Sequence, residues 1–241
     1  MKINKKYAVV IPAANEEDNI LDFYNELARQ LKKIKIDYKI YFVVDNVSKD
    51  NTLNILNVIS KKDQKTITIF EPKNKSVVDA YIRGFKQAIN DKNDYIIEMD
   101  AGFSHQPKEI VKFVKKLEKG FDCVFGVRPL WSIKYKISFK RRLFSLGGTI
   151  LSNLLLGTKL SDTTSGFEAF NAKVLSDIIK KPLLSKGHFF QTEIKYRSKS
   201  YNFSTVNIHY SFPSNSVSEK SIKNSFMVLA TLFVERFKLK K

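Results

Sequence analysis

The sequence predicts an α/β protein built on a doubly wound, mostly parallel sheet with helices on both faces. Two observations support this fold class. Short apolar segments alternate with amphipathic helical segments along the first half of the chain, and the connections between them are short. In addition, polar residues follow several of the apolar segments directly. With 241 residues, the chain is long enough to bury one sizeable core.

The predicted elements alternate regularly from residue 7 onward. Strands are expected over residues 7–11, 38–44, 66–70, 95–99 and 122–127. Helices are expected over residues 19–33, 52–60, 77–90 and 107–119. Continuous apolar runs indicate the buried strands, and apolar residues three and four apart indicate the helices. Pro107 suits the first helical position, where no backbone N–H is needed.

Several classes of protein are disfavoured by the sequence. No Gly-x-Gly-x-x-Gly follows the first strand and there is no P-loop, so neither nucleotide fingerprint is present. Cys123 is the single cysteine, so no internal disulfide forms. The N-terminal segment does not resemble a signal peptide, and the longest apolar stretch, residues 226–234, is shorter than the ~20 residues that span a bilayer. We therefore expect a cytoplasmic protein that does not cross a membrane by itself.

The chain is strongly basic, with 42 Lys and Arg against 24 Asp and Glu and a net charge of +18. Such a surplus attracts polyanions, including nucleic acid, anionic lipid and diphosphates. A nucleic-acid binder would interleave basic and aromatic residues over a sheet or groove. Here the distinctive residues are acids at strand ends, so we expect no nucleic-acid partner.

One segment is typical of a membrane surface. Residues 134–142 are basic with interleaved aromatics, and residues 143–156 form an apolar helix candidate. The alternative is a core helix with a solvated basic flank, and periodicity does not separate the two. A basic amphipathic helix is also expected over residues 226–239. We therefore predict peripheral association with an anionic membrane.

The stretch YIIEMDAGFSHQP, residues 95–107, has the features of a ligand site. Its apolar strand becomes acidic at Glu98 and Asp100 and then reaches the small residues Ala101 and Gly102. In open α/β sheets, ligands bind outside the carboxyl ends of the strands. Asp100 is therefore placed either to bind a ligand or to cap the next helix.

Seven segments in one order carry a family resemblance: VVIPAANEEDNI (9–20), VVDNVSKDNT (43–52), SVVDAYIRGFKQAI (76–89), EMDAGFSHQP (98–107), FGVR (125–128), SDTTSGFEAF (161–170) and GHFFQTEI (187–194). Together they resemble family 2 glycosyltransferases of the GT-A fold, especially dolichyl-phosphate and polyprenyl-phosphate mannosyltransferases and glucosyltransferases. The resemblance implies a catalytic domain over residues 1–212, including the interfacial segment 134–156. Residues 213–241 would then form a separate C-terminal helical region.

The implied reaction is an inverting transfer of mannose or glucose from GDP-mannose or UDP-glucose to a polyprenyl phosphate. The resemblance assigns nucleotide-sugar binding to Pro12, Ala13, Glu16, Asp45, Asp100, Ala101, Gln191 and Glu193. It assigns catalytic roles to Asp100, Asp162 and Arg128, the last as a bidentate phosphate ligand. Helix capping is the alternative for Glu16 and Asp45, and a solvated helix face is the alternative for Gln191 and Glu193.

A divalent cation, Mg²⁺ or Mn²⁺, is the implied cofactor, with Asp100 as its ligand. The sequence departs from the family here, because the usual Asp-x-Asp reads Asp100-Ala101-Gly102 and lacks its second acid. We expect Glu98, two residues earlier on the same strand face, or else Ser104 or His105, to supply a further ligand. Metal dependence stays open, as does the alternative of a catalytically silent relative.

The acceptor is also left open between two classes. A lipid phosphate is already anionic and needs only a positive cradle, for which we predict Lys140, Arg141, Arg142 and Lys220. A glycan hydroxyl would instead need a general base, and Asp162, in the acceptor-side loop 161–170, or Glu193 would serve.

Overall fold

The computed structural model describes residues 5–74, 76–130, 138–210 and 219–238, without the side chains of Lys140 and Arg141. Its sheet contains β1 (Lys6–Pro12), β2 (Asp37–Val44), β3 (Thr66–Phe70), β4 (Tyr95–Glu98), β5 (Cys123–Val127), β6 (Glu168–Asn171) and β7 (Phe203–Asn207). The helices are α1 (Ile20–Ile34), α2 (Thr52–Lys62), α3 (Val77–Asn90), α4 (Ile110–Glu118), α5 (Phe139–Leu156), α6 (Ala172–Ile179), α7 (Phe190–Arg197) and α8 (Glu219–Lys238). A short 3-10 turn, Pro107–Glu109, leads into α4.

The strands form one mixed sheet in the order β3-β2-β1-β4-β6-β5-β7. From β3 to β4 all neighbouring strands are parallel, as the sequence predicts. One layer of core packs α1 and α4 against the sheet around Phe23 and Phe113. The other packs α3, α6 and α7 around Phe85 and Phe190. The predicted α/β fold class, with helices on both faces, is confirmed.

The second half of the sheet contains two strands, β6 and β7, that the sequence analysis did not identify. The end of the predicted acceptor-side loop forms β6, which runs antiparallel to both β4 and β5. β7 then pairs with β5 in parallel. β6 has only two apolar residues, flanked by Glu168 and Asn171, so no apolar run marks it as a strand. Its insertion places Glu168 directly opposite Glu98.

Helices α5 and α8 pack against each other beside this sheet. Leu156 of α5 contacts an apolar cluster on α8 that includes Val228 and Leu232. Arg236 of α8 donates from Nη1 to the Leu155 carbonyl at 2.7 Å, which caps the end of α5. α8 begins seven residues before the predicted position 226, at Glu219. Among the described residues, no helix is long and apolar enough to span a bilayer.

Candidate active site

The loops after β1, β2 and β4 meet at the carboxyl edge of the parallel strands, where ligands bind in open α/β folds. The first two loops are joined by hydrogen bonds. The Ala13 N–H donates to the Val43 carbonyl at 3.0 Å. The Glu16 N–H donates to Thr52 Oγ1 at 2.8 Å. These two hydrogen bonds therefore fix Ala13 and Glu16 of the β1 loop against β2 and the start of α2.

Asp45 directly follows β2 and has a largely buried side chain. Its Oδ1 accepts from the Val47 N–H at 2.9 Å, which stabilises the turn. Oδ2 accepts no hydrogen bond from the described residues. The neighbouring Asn46 donates to the Pro72 carbonyl at 2.8 Å. Asp45 therefore keeps one oxygen for a ligand's donor group, whereas Asn46 anchors the loop.

Asp100 is the accessible acid of the β4 loop, with 39% of its side chain exposed. Tyr81 donates its hydroxyl to Oδ1 at 2.8 Å. Burial and the charge of Asp100 raise the pKa of Tyr81 well above its usual value, so the phenol stays a donor. Oδ2 accepts no hydrogen bond within the described part of the chain. The carboxylate is therefore oriented on one side and open on the other.

His105 fixes the backbone of this loop. Its Nδ1 accepts from the Asp100 N–H at 2.9 Å, and its ring stacks on Phe167 with centroids 5.1 Å apart. Burial lowers the pKa of His105. The ring is therefore neutral, and the 3.7 Å between Nδ1 and Asp100 Oδ2 is not an ion pair. His105 positions Asp100 rather than neutralising it.

Gly102 lies directly beneath a carboxylate from another loop. Its φ of +66° is in the left-handed region that favours glycine. A Cβ at this position would lie 2.5 Å from Oε2 of Glu16 and 3.0 Å from Oε1. Burial, followed by repulsion from Asp100 and Asp50, raises the pKa of Glu16. Sequence reasoning identified both residues but contained no signal that they are adjacent.

Glu98 lies in a fully buried cluster with Glu168 and Lys195. The Lys195 ammonium donates to Glu168 and, at 2.6 Å, to the Ser165 carbonyl. Burial and the charge of Glu168 raise the pKa of Glu98 well above its ordinary value. Two opposed carboxylates in the interior repel each other, so the protonated form of Glu98 is favoured.

This burial corrects the metal set expected from the sequence. A protonated carboxyl in the interior is a poor ligand for Mg²⁺ or Mn²⁺, so we no longer place Glu98 among the ligands. Ser104 is half-buried in the turn after β4, and its role as a metal ligand stays a prediction. Lys195 was missed entirely, since a lysine is usually exposed and no local pattern marks a buried one.

Arg128 and Asp162 form a buried bidentate ion pair. The guanidinium donates from Nε to Oδ2 at 2.7 Å and from Nη2 to Oδ1 at 3.0 Å. Burial alone would raise the pKa of Asp162, but Arg128 outweighs it and holds that pKa below its usual value. The ion pair with Arg128 thus disfavours the predicted role of Asp162 as a general base. Because Arg128 directs its donors at Asp162, its expected bidentate contact with a phosphate is not supported either.

The two polar residues predicted on α7 are buried rather than solvated. Glu193 accepts from the backbone N–H groups of Leu184 and Ser185 at 2.9 and 2.8 Å and pairs with Arg197. It stabilises the turn before α7 and is not available as a base. Gln191 lies close to Gly166, where an added Cβ would be 2.7 Å from its Nε2.

The basic residues predicted to hold the acceptor phosphate lie on α5 and α8. Arg142 is half-buried on α5 and Lys220 is exposed near the start of α8. The side chains of Lys140 and Arg141, and all of residues 131–137, lie outside the described residues.

The same two helices expose many large apolar side chains, which we call the α5–α8 apolar face. Those on α5 are Phe139, Leu143, Phe144, Ile150, Leu151 and Leu154. Those on α8 are Phe226, Met227, Val234 and Phe237. Clustered apolar exposure of this kind marks an interaction surface.

The residues at the carboxyl edge include the oxygen ligands that a divalent cation prefers, but they do not supply all of the ligands that it needs. Within the described ranges, no group of three or more His, Cys, Asp or Glu side chains is placed to hold a metal. Asp100 nevertheless offers an open carboxylate oxygen, the type of ligand that Mg²⁺ and Mn²⁺ prefer. Such ions commonly take their remaining ligands from substrate phosphates and water.

The mixed seven-stranded sheet with helices on both faces and a ligand edge after β1, β2 and β4 is the GT-A architecture of glycosyltransferases. A family model described as "Glycosyl transferase family 2" matches residues 8–179. The chain belongs to this family and is a glycosyltransferase. Both the family and the fold predicted from the sequence are thereby confirmed.

Relatives and solved structures agree with this assignment. An uncharacterized protein of Methanocaldococcus jannaschii is 30% identical over 238 residues, covering 94% of this chain and 99% of that one. Polyprenol monophosphomannose synthase of Mycolicibacterium smegmatis is 27% identical over 207 residues, covering 85% and 76%. Glucosyl-3-phosphoglycerate synthase of Mycobacterium tuberculosis, crystallised with Mn²⁺, UDP and phosphoglyceric acid, superposes with a TM-score of 0.71 at 17% identity, covering 98% of this chain and 80% of that one. The last comparison shows the fold alone.

Proposed function

We propose that this glycosyltransferase moves a hexose from a nucleoside diphosphate sugar to a polyprenyl phosphate at an anionic membrane surface, with inversion. The observation that carries the proposal is the α5–α8 apolar face, since a soluble acceptor would need no such surface. The 27% identity to a polyprenol monophosphomannose synthase supports the same acceptor class. GDP-mannose and UDP-glucose are the two donors to test.

The donor would bind at the carboxyl edge of the parallel strands. Pro12, Ala13 and Asp45 would contact the nucleoside, and the small Ala101 would leave room beside the backbone. Asp100 would hold the diphosphate through a divalent cation. That ion, when bound, supplies positive charge to the departing diphosphate. The hydrogen bond from the Tyr81 hydroxyl to Asp100, and the one from the Asp100 N–H to His105, keep the carboxylate in a single orientation.

The environments of the two candidate general bases favour a phosphate acceptor over a hydroxyl acceptor. A hydroxyl must lose its proton as it attacks and needs a general base, whereas a phosphate monoester is already anionic. Both acids predicted for that role, Asp162 and Glu193, are buried and ion-paired. Arg142, Lys220, Lys140 and Arg141 remain our proposed cradle for the acceptor phosphate.

Membrane attachment would combine two modest contributions. Each Lys or Arg close to an anionic surface contributes about 1 kcal/mol to binding. This attraction falls away when the residue is more than a Debye length from the surface. Insertion of side chains such as Leu154 and Phe226, 73% and 60% exposed, adds apolar burial. We therefore expect reversible, salt-sensitive adsorption rather than permanent insertion.

The test uses the double variant Leu154→Glu with Phe226→Glu. We expect it to lose most sedimentation with vesicles containing phosphatidylserine and most transfer to polyprenyl phosphate, while nucleotide binding stays at the wild-type level. The matched control is Leu21→Glu with Val58→Glu, which places the same charges at exposed apolar positions of α1 and α2. Wild-type transfer to polyprenyl phosphate by the first variant would contradict the membrane proposal. If the wild-type enzyme transferred the sugar only to soluble sugar hydroxyls, the acceptor would be a hydroxyl and not a polyprenyl phosphate.

A further inference from the structure

The β4 loop offers one acid where its family motif has two. Gly102 has no side chain, and its φ of +66° is strained for most other residues. The space that a side chain at this position would enter is already filled by the carboxylate of Glu16. The nearest approach, 2.5 Å from the added Cβ to Oε2, is too short for both groups to coexist without a shift. The carboxylate of Glu16, from the β1 loop, thus occupies the space that a side chain at residue 102 would fill.

Glu16 is held in place through its backbone rather than its carboxylate. Its N–H donates to Thr52, and its carbonyl accepts from the N–H groups of Asn19 and Ile20 at 2.9 and 2.8 Å at the start of α1. The carboxylate itself makes no hydrogen bond or ion pair with any described residue. Half-buried and next to Asp100, it lacks the compensating partner that such a charge normally requires.

We propose that Glu16 supplies the second carboxylate of the divalent-cation site, replacing the acid that Gly102 lacks. The inference rests on the proposed function, because the ion would be shared with the donor diphosphate. Asp100 contributes from the β4 loop, with Tyr81 orienting one oxygen and leaving the other open. Glu16 contributes from the β1 loop, so the cation would tie together two loops that the sequence keeps far apart.

This arrangement has a consequence for residue 102. An aspartate there would restore the family motif in sequence, but it would push the flexible Glu16 carboxylate out of its place and add a third negative charge beside Asp100. The benefit of Gly102→Asp should therefore appear only after Glu16 has been shortened. Aspartate is one of the few residues that tolerates a left-handed backbone, which makes the exchange structurally feasible.

The experiment measures Mn²⁺ binding from the free-ion electron paramagnetic resonance signal, with Mn²⁺ alone and with Mn²⁺ plus GDP or UDP. Wild type is compared with Glu16→Ala, Glu16→Gln, Gly102→Asp and the double variant Glu16→Ala with Gly102→Asp. We expect Mn²⁺ affinity in the presence of nucleotide to fall at least about tenfold in both Glu16 variants. The double variant should regain most of that loss, and Gly102→Asp alone should gain nothing. Asp18→Ala, an exposed acid on the same loop, is the matched control and should bind as wild type does.

The outcomes separate this inference from the proposed function. Unchanged Mn²⁺ affinity in Glu16→Ala and Glu16→Gln, with nucleotide still bound, would overturn the role of Glu16 and leave the donor site standing. Tighter Mn²⁺ binding by Gly102→Asp alone would overturn it as well. If wild type bound neither nucleotide, with or without Mn²⁺, both the donor site and the role of Glu16 would be wrong. Glu16→Gln keeps the size of the side chain, so a loss of Mn²⁺ affinity in this variant would result from the missing charge rather than from altered packing.

Discussion

Acidic residues occupy two regions of this glycosyltransferase, and they behave in opposite ways. At the carboxyl edge of the parallel strands, Asp100 and Glu16 are partly accessible and have no basic partner among the described residues. Around β6, Asp162 and Glu168 are fully buried and each is paired with a basic side chain. Motif resemblance had assigned chemical roles in both regions. Only in the first does the environment leave a carboxylate free for a ligand.

The difference follows from the topology of the sheet. Parallel strands end at one edge, so the acids that follow them reach solvent together. β6 enters antiparallel between β4 and β5 and brings Glu168 against Glu98 inside the protein. Buried charges are tolerated only when they are paired or neutralised. Lys195 pairs with Glu168, and burial beside Glu168 raises the pKa of Glu98.

The largest expected effect is on stability in the buried region. Lys195→Met should destabilise the protein by about 3–5 kcal/mol, because it leaves a buried carboxylate without its counter-charge. Urea unfolding measures this loss, and Lys173→Met, at an exposed position of α6, is the control. Adding Glu168→Gln should recover part of the loss. If Lys195→Met were as stable as wild type, the claim that the buried acids depend on their basic partners would be wrong.

The accessible region should respond in activity and not in stability. Asp100→Asn should reduce turnover roughly 100-fold or more, since one preorganised electrostatic contact commonly contributes this much. Its unfolding midpoint should stay at the wild-type value because the side chain lies at the surface. Asp162→Asn provides the contrast and should lower the midpoint by removing the charge that Arg128 faces. Asp100→Asn with wild-type turnover and metal response would remove Asp100 from the site.

The smallest change is expected for Glu98→Gln at pH 5. The amide there replaces a carboxyl that is already protonated, and the two groups have the same shape. The pKa of Glu98 is raised in the folded protein, so its stabilising contribution is present below the unfolded value of 4.5 and is lost as pH rises toward the folded value. The variant cannot ionise, so its stability relative to wild type should increase from pH 5 to pH 8.

Urea unfolding at several pH values checks that trend, and Mn²⁺ affinity provides a second measurement. Affinity should be unchanged in Glu98→Gln, because Glu98 lies in the interior. A pH-independent difference from wild type would show that Glu98 is ionised in the folded protein. Weaker Mn²⁺ binding would return it to the ligand set.

Much of the fold was predictable because its signals are local. The predicted strand over residues 66–70 and helix over residues 77–90 match β3 and α3 at both ends. Apolar periodicity fixes such elements within a few residues of chain. Pro107 likewise starts its helical turn as expected. The four-residue β6 was missed, since it is a strand only by virtue of the neighbours it pairs with.

The sequence by itself determined the α/β class, the family and the loops that line the donor edge. Tertiary structure decided which of the acids in those motifs remain available. Asp162 is 34 residues from Arg128, and Glu168 is 27 residues from Lys195, so no local pattern reveals either pair. The position of Glu16 above Gly102 also depends on two separate loops meeting. A carboxylate's chemistry is set by its burial and its partners, and both are properties of the folded chain rather than of any segment.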